Sequence, residues 1–140
     1  DGAPQLPPRD DRHATVLVVD DEPDNREVIR SVIEDVLGLR TVTASDGLEA
    51  LRRAQEQPEL ILLDLRMPGL SGFEVARRLK ANPVTGSIPI LAITALNETD
   101  DLDAARAAGC LGCVTKPFTN ETLAAAISGA LQTVDSGGDR

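Results

Sequence analysis

The sequence predicts an α/β fold in which five parallel strands alternate with five helices. Three observations carry that prediction. Leu60-Ile61-Leu62-Leu63 runs unbroken into Asp64 and then into the turn residues Met67-Pro68-Gly69, the pattern of a strand covered on both faces. Along residues 15 to 134, short apolar runs alternate strictly with segments of helical periodicity; right-handed crossovers then require a parallel sheet with helices on both sides. Every strand but one also ends at a reactive residue type: Asp20-Asp21, Asp64, Thr94 and Lys116. In a parallel sheet the carboxyl ends share one edge, so these residues converge there.

Residues 1 to 14, with three prolines and no apolar period, read as a disordered lead. Thr15 to Val19 is a first buried strand. Pro23 opens a helix whose Val28, Ile29, Val32, Ile33, Val36 and Leu37 recur at helical spacing, and Gly38 ends it. Arg40 to Ala44 alternates polar and apolar residues, which places it at a sheet edge. Asp46 with Glu49 reads as a capping box for a second helix through Ala50, Leu51 and Ala54, stopped before Pro58. After the third strand, Ser71 with Glu74 makes another box, and Phe73, Val75, Ala76 and Leu79 form the apolar face of a third helix that Asn82-Pro83 closes. Ser87 to Ile93 is a fourth strand with Thr94 at its end. The fourth helix, from about Glu98 to Ala108, has only Leu102 and alanines to bury, and Gly109 ends it. Cys113 to Thr115 is a short fifth strand delivering Lys116-Pro117. A last helix turns Leu123, Ile127, Leu131 and Val134 inward, and residues 135 to 140 read as a flexible tail.

Composition narrows the function. One hundred and forty residues make one domain. A net charge of -9 argues against a nucleic-acid surface, which needs clustered Lys and Arg. No apolar run approaches a membrane span and no charged-then-apolar leader opens the chain, so a cytoplasmic protein without membrane association is expected. The two cysteines cannot form a disulfide framework.

Three carboxylates gathered within about 4 Å repel by roughly 4 kcal/mol per pair at an effective dielectric near 20. Raised pKa values offset part of this, but an oxygen-only cluster beside a lysine suits a hard cation such as Mg²⁺ better. Asp64 next to a divalent ion, Lys116 and the Thr94 hydroxyl is a nucleophile for phosphoryl transfer, forming an acyl phosphate.

These motifs resemble the receiver domain of two-component response regulators. VVDDEPDNR is similar to its acidic strand end, LLDLRMPGLSGFE to its phosphoacceptor region, ILAITAL to its hydroxyl-bearing strand and TKPF to its lysine with the following proline. The resemblance spans residues 15 to about 134 in matching order and spacing. It implies a flavodoxin-like, doubly wound (βα)5 fold with strand order 2-1-3-4-5. It implies Asp64 as phosphoacceptor, with Asp21, Asp20 and the main-chain carbonyl of Arg66 at Mg²⁺. Thr94 and Lys116 would contact the phosphoryl oxygens, and Pro117 would follow a cis peptide bond. The donor would be a histidine kinase or a histidine phosphotransfer protein. The receiver catalyses only its own phosphotransfer and a slow hydrolysis, and Arg66 and Leu96 would tune the latter. The output face would be the fourth helix, fifth strand and fifth helix, open to an unknown downstream protein or a second copy of the chain. One departure stands out: the family usually carries Tyr or Phe where this chain has Cys113, so coupling between Asp64 and that face is expected to weaken or to run through the fourth helix.

Other readings weigh less. Asp64 alone is as often a turn cap as a reactive group, but independent caps would not supply Lys116. Cys110-Leu111-Gly112-Cys113 has redox spacing, yet it bridges a helix end and a strand instead of opening a helix, and zinc would need two more ligands. His13 is the only histidine and sits in the lead. An aspartyl phosphohydrolase would need a second Asp where Arg66 stands. A flavin protein would need a glycine- and hydroxyl-rich loop where Asp20-Asp21-Glu22-Pro23-Asp24 stands.

Overall fold

The computed structural model describes residues 14–95 and 100–138, with the side chains of residues 100, 101 and 133–138 outside that description. The sheet has five parallel strands: β1 (Thr15–Val19), β2 (Arg40–Ala44), β3 (Leu60–Asp64), β4 (Ile90–Ala95) and β5 (Gly112–Lys116). Their order is β2-β1-β3-β4-β5. The helices are α1 (Pro23–Ser31), continued by a π-helical turn over Val32–Val36, then α2 (Gly47–Ala54), α3 (Gly72–Ala81), α4 (Asp100–Ala107) and α5 (Asn120–Gly138). The flavodoxin-like expectation, with its strand order, is what the chain adopts.

β3 shows why a central strand must be aliphatic throughout. Leu60 and Leu62 join Ile29, Val32, Ile33, Leu123 and Ile127 in one core layer, under α1 and α5. Ile61 and Leu63 join Val75, Ala76, Leu79 and Ala105 in the other, under α2, α3 and α4. All five residues of β3, Asp64 included, are buried. The alternating β2 is less protected and lies at the edge, as its pattern requires.

Several local expectations shift. Ala14, at the end of the expected lead, is buried and its carbonyl accepts from Arg40 N at 2.9 Å; the rest of the expected lead lies outside the described residues. Ile29, Val32 and Ile33 are buried, but Val28 and Val36 are exposed. The π turn explains Val36: Leu37 N donates to Val32 O, five residues back, and the wider turn brings Leu37 inward in its place. β4 starts at Ile90, not Ser87. Pro89 has no N–H to give, and Lys80 Nζ claims the carbonyls of Gly86 and Ile88 at 3.0 and 2.8 Å. At its other end β4 runs on to Ala95, so Thr94 is its next-to-last residue, opposite Thr115. The fourth helix is described from Asp100, and its expected start at Glu98 lies outside the described residues. α5 continues past Val134 to Gly138, into the expected tail.

Both capping boxes are half-formed. Asp46 and Ser71 accept from the N–H groups of Glu49 and Glu74 at 2.8 and 3.3 Å. The Glu49 carboxylate reaches back one residue further, to Ser45 N, and that of Glu74 pairs with Arg77 and Arg78 instead.

Candidate functional site

The carboxyl ends of β1, β3, β4 and β5 form an open cleft of about 230 Å³, lined by Asp21, Glu22, Asn25, Asp64, Arg66, Thr94, Ala95 and Lys116. Asp20, Asp21 and Asp64 each bring one carboxylate oxygen to within 4.8 Å of the others. The sheet does this placing. β1 and β3 are neighbours in register, Val19 opposite Leu63, so the residues after each strand lie side by side.

Asp20 is fully buried. Its Oδ1 accepts from Glu22 N at 2.9 Å, and its main chain is held by Asp20 N donating to Ala44 O at 3.1 Å and by Arg26 Nη1 donating to Asp20 O at 2.7 Å. Oδ2 is buried with no hydrogen-bond partner. Leaving a carboxylate oxygen dry costs free energy that a cation would recover. Three carboxylates, one with an orphaned oxygen, are a donor set that fits a hard divalent cation.

Asp64 is 5% exposed. Arg66 N donates to its Oδ1 at 3.0 Å, and Lys116 Nζ lies 3.7 Å from its Oδ2. Burial pushes the Asp64 carboxyl above the usual carboxylate range. The Arg66 N–H and Lys116 pull it down, and Asp20 and Asp21 push it up. Lys116 ends β5 opposite Ala95, and the Lys116–Pro117 peptide bond is cis. Thr94 is 2% exposed.

Cys113 stands apart from this cleft, opposite Ala92 on β5 and partly packed against the core layer under α4. Burial pushes the Cys110 thiol up to about 11, away from thiolate reactivity. Leu96 lies outside the described residues.

The close approach at Gly72 and the contact of Phe73 with Arg66 escape sequence reasoning. A Cβ on Gly72 would meet the Asp64 carbonyl oxygen and stand 2.6 Å from Leu65 Cα, so α3 can start against the end of β3 only without a side chain. The available signal was a glycine at the first position of a helix, directly after its Ser71 cap. The Phe73 ring lies under the Arg66 guanidinium, 5.6 Å from ring centroid to Cζ.

The response regulator receiver domain family matches residues 16–128. This chain belongs to that family. Among curated relatives, the receiver is 37% identical over 124 residues to the phosphate regulon transcriptional regulatory protein PhoB of Pseudomonas aeruginosa, covering 88% of this chain and 54% of PhoB. It thus spans about half of that relative's length. It is 37% identical over 106 residues to the polar-differentiation response regulator DivK of Brucella anthropi, covering 75% of this chain and 85% of DivK. Among solved structures, the Vibrio cholerae chemotaxis protein CheY4 superposes with a TM-score of 0.79 at 32% identity, covering 84% of the receiver and 98% of CheY4. The receiver domain of NtrX from Brucella abortus gives 0.78 at 29%, with 84% and 98% covered. Receivers are phosphorylation-dependent signalling domains that take a phosphoryl group from a histidine kinase and act on downstream partners. No helix among the described residues is long and apolar enough to cross a membrane.

Proposed function

We propose that Asp64 accepts the phosphoryl group, from a histidine kinase or a histidine phosphotransfer protein, with Mg²⁺ held by Asp20, Asp21, Asp64 and the main-chain carbonyl of Arg66. The observation that carries this reading is a buried carboxylate with an ammonium 3.7 Å away and two further carboxylates within 4.8 Å. Mg²⁺, when bound, supplies positive charge that offsets repulsion among the carboxylates and the phosphoryl oxygens.

The remaining steps belong to the chain. The Arg66 N–H holds one Asp64 oxygen, which fixes the orientation of the carboxylate. An Asp64 oxygen attacks phosphorus, the bond from phosphorus to the donor histidine nitrogen breaks, and the leaving imidazole takes up a proton. Lys116 moves from the carboxylate to a phosphoryl oxygen, and the Thr94 hydroxyl donates to another. Hydrolysis then returns the free carboxylate, at a rate tuned by Arg66 and Leu96. An adjoining apolar hollow of about 400 Å³, walled by Val28, Ile29, Pro117 and Phe118, supports the reading, because a histidine-bearing donor can rest there.

The output face is α4, β5 and α5. Leu102 and Leu111 are 40% and 45% exposed on its α4 and β5 side, which suits a downstream protein or a second copy of the chain. Cys113 carries no ring to turn inward, so the coupling runs through α4. A beryllofluoride adduct should shift the amide signals of residues 96–115 less than in aromatic-bearing relatives; equal shifts would refute this.

Acetyl phosphate with Mg²⁺, followed by intact-mass measurement, tests the acceptor. Wild type should gain one phosphoryl group and Asp64→Asn none. An adduct persisting in the mutant would remove the assignment.

A further inference from the structure

Asp20 and Asp21 leave β1 in a turn that one residue of α1 ties at both ends. The pairing of β1 with β3 stops at Val19, opposite Leu63, so the carbonyl of the fully buried Asp20 lies past that ladder. A buried carbonyl needs a donor. A side chain supplies it: Arg26 Nη1 donates to Asp20 O at 2.7 Å. The main chain of Arg26 acts on the same turn, its N–H donating to Glu22 O at 3.1 Å. Glu22 N in turn donates to Asp20 Oδ1 at 2.9 Å. These three bonds close a ring around the turn that carries Asp21, and Arg26 makes two of them. Arg26 does not line the cleft. The side-chain charges that bear on the Asp64 carboxyl are those of Lys116, Asp20 and Asp21, whereas the Arg26 guanidinium is turned to the main chain.

We propose that Arg26 is a positioning residue for the divalent-cation site: by holding the Asp20 carbonyl it fixes the turn from which Asp20 and Asp21 present their carboxylates. The inference rests on the reading that Asp20, Asp21 and Asp64 hold Mg²⁺. Two effects of the guanidinium oppose each other. A cation close to three carboxylates repels a second cation, so by charge alone its removal strengthens Mg²⁺ binding. Its removal also leaves the buried Asp20 carbonyl without its donor and opens the ring. The two carboxylates then lose the mutual placement that a small ion with near-octahedral demands requires. Position outweighs charge. Arg26 is partly exposed, and nearby water weakens its repulsion, whereas partners standing behind metal ligands typically govern affinity by about 10- to 100-fold.

The test compares wild type, Arg26→Met and Arg26→Lys, each prepared metal-free, by the rise of Tm across a Mg²⁺ series at fixed ionic strength. Methionine keeps a helix-favouring stem and removes every donor; lysine keeps the charge and an ammonium donor on a shorter stem. Arg26→Met should bind Mg²⁺ about tenfold more weakly than wild type, the lower end of what an outer partner contributes. Arg26→Lys should fall between them. A merely structural Arg26 would lower Tm without Mg²⁺ and leave the affinity unmoved, which overturns the proposal. Tighter binding in Arg26→Met, the result that charge alone would give, also overturns it, as does binding in Arg26→Lys no tighter than in Arg26→Met. If Arg26→Met does not fold, Arg26→Lys against wild type decides, and equal or tighter binding in the variant overturns the proposal. All of these results leave the metal-site reading intact, because wild type still responds to Mg²⁺. No Mg²⁺ response in wild type overturns both.

Discussion

Replacing Gly72 with alanine tests how closely the site depends on the fold around it. The added Cβ would stand 2.6 Å from Leu65 Cα and closer still to the Asp64 carbonyl oxygen. Carbon atoms in ordinary contact sit about 3.5–4.0 Å apart, so the start of α3 must retreat by about 1 Å from the end of β3. Both obstacles are backbone and cannot swing aside. Overpacking of this kind costs about 1–3 kcal/mol, against a gain of at most about 1 kcal/mol from alanine's helix propensity. The net is a loss of about 1–2 kcal/mol, or roughly 3–8 °C in Tm for a chain of this size. The same retreat disturbs the Gly72 N to Leu65 O bond, 3.1 Å in the native chain, and with it the turn that aims the Arg66 N–H at Asp64. A misplacement of about 1 Å can cost up to about a hundredfold in rate. Thermal unfolding and the rate of adduct formation from acetyl phosphate measure the two effects. Gly129→Ala is the matched control, because nothing lies within 4 Å of its added Cβ, and it should hold or raise stability. Wild-type Tm and wild-type rate in Gly72→Ala would refute the reasoning.

Other outcomes follow from the site's electrostatics. The Asp64 pKa is raised in the folded chain, so the fold favours its neutral form. In the metal-free protein, stability from this group is present below the ordinary carboxylate pKa and is lost as pH rises through the folded value. Asp64→Asn should therefore stabilise the metal-free protein at pH 7 and lose that advantage in acid, as read by denaturant titration at several pH values. Mg²⁺ at a hundred times its Kd should add roughly 2.7 kcal/mol of stability; Asp20→Asn, which removes the buried anionic oxygen, should abolish most of that gain in a melting series with and without the ion. Leu96→Asn should change the rate of adduct loss without changing Mg²⁺ affinity by titration, and an unchanged rate would count against a tuning role for that position.

Much of this was legible because a doubly wound sheet converts sequence order into place. The run into Asp64 marked a strand covered on both faces, and the same alternation that located it put Asp20, Asp21, Thr94 and Lys116 on one edge. That edge is where the structure gathers them. What stayed hidden depends on features without a period. The exposed Val36 follows from a π turn that no hydrophobic count distinguishes from an α turn. The late start of β4 depends on Lys80, six and eight residues back in sequence on α3, reaching Gly86 and Ile88 with one ammonium. The role of Gly72 is a distance between backbones, and that of Phe73 a meeting across the β3–α3 turn. Neither leaves a pattern in composition.

The π turn over Val32–Val36 gives the first helix a tolerance the others lack. In α3, loss of one residue would rotate everything beyond it by about 100° and turn Val75, Ala76 or Leu79 away from the layer they fill. A π turn already holds one residue more than an α turn needs. Deleting one position there should relax the segment to ordinary α geometry and leave Ile29 and the site-bearing amino end of the helix where they are. The chain thus keeps spare length between β1 and β2, in the layer that Val32 and Ile33 share with α5, and a length change there can be absorbed before it reaches Asp20.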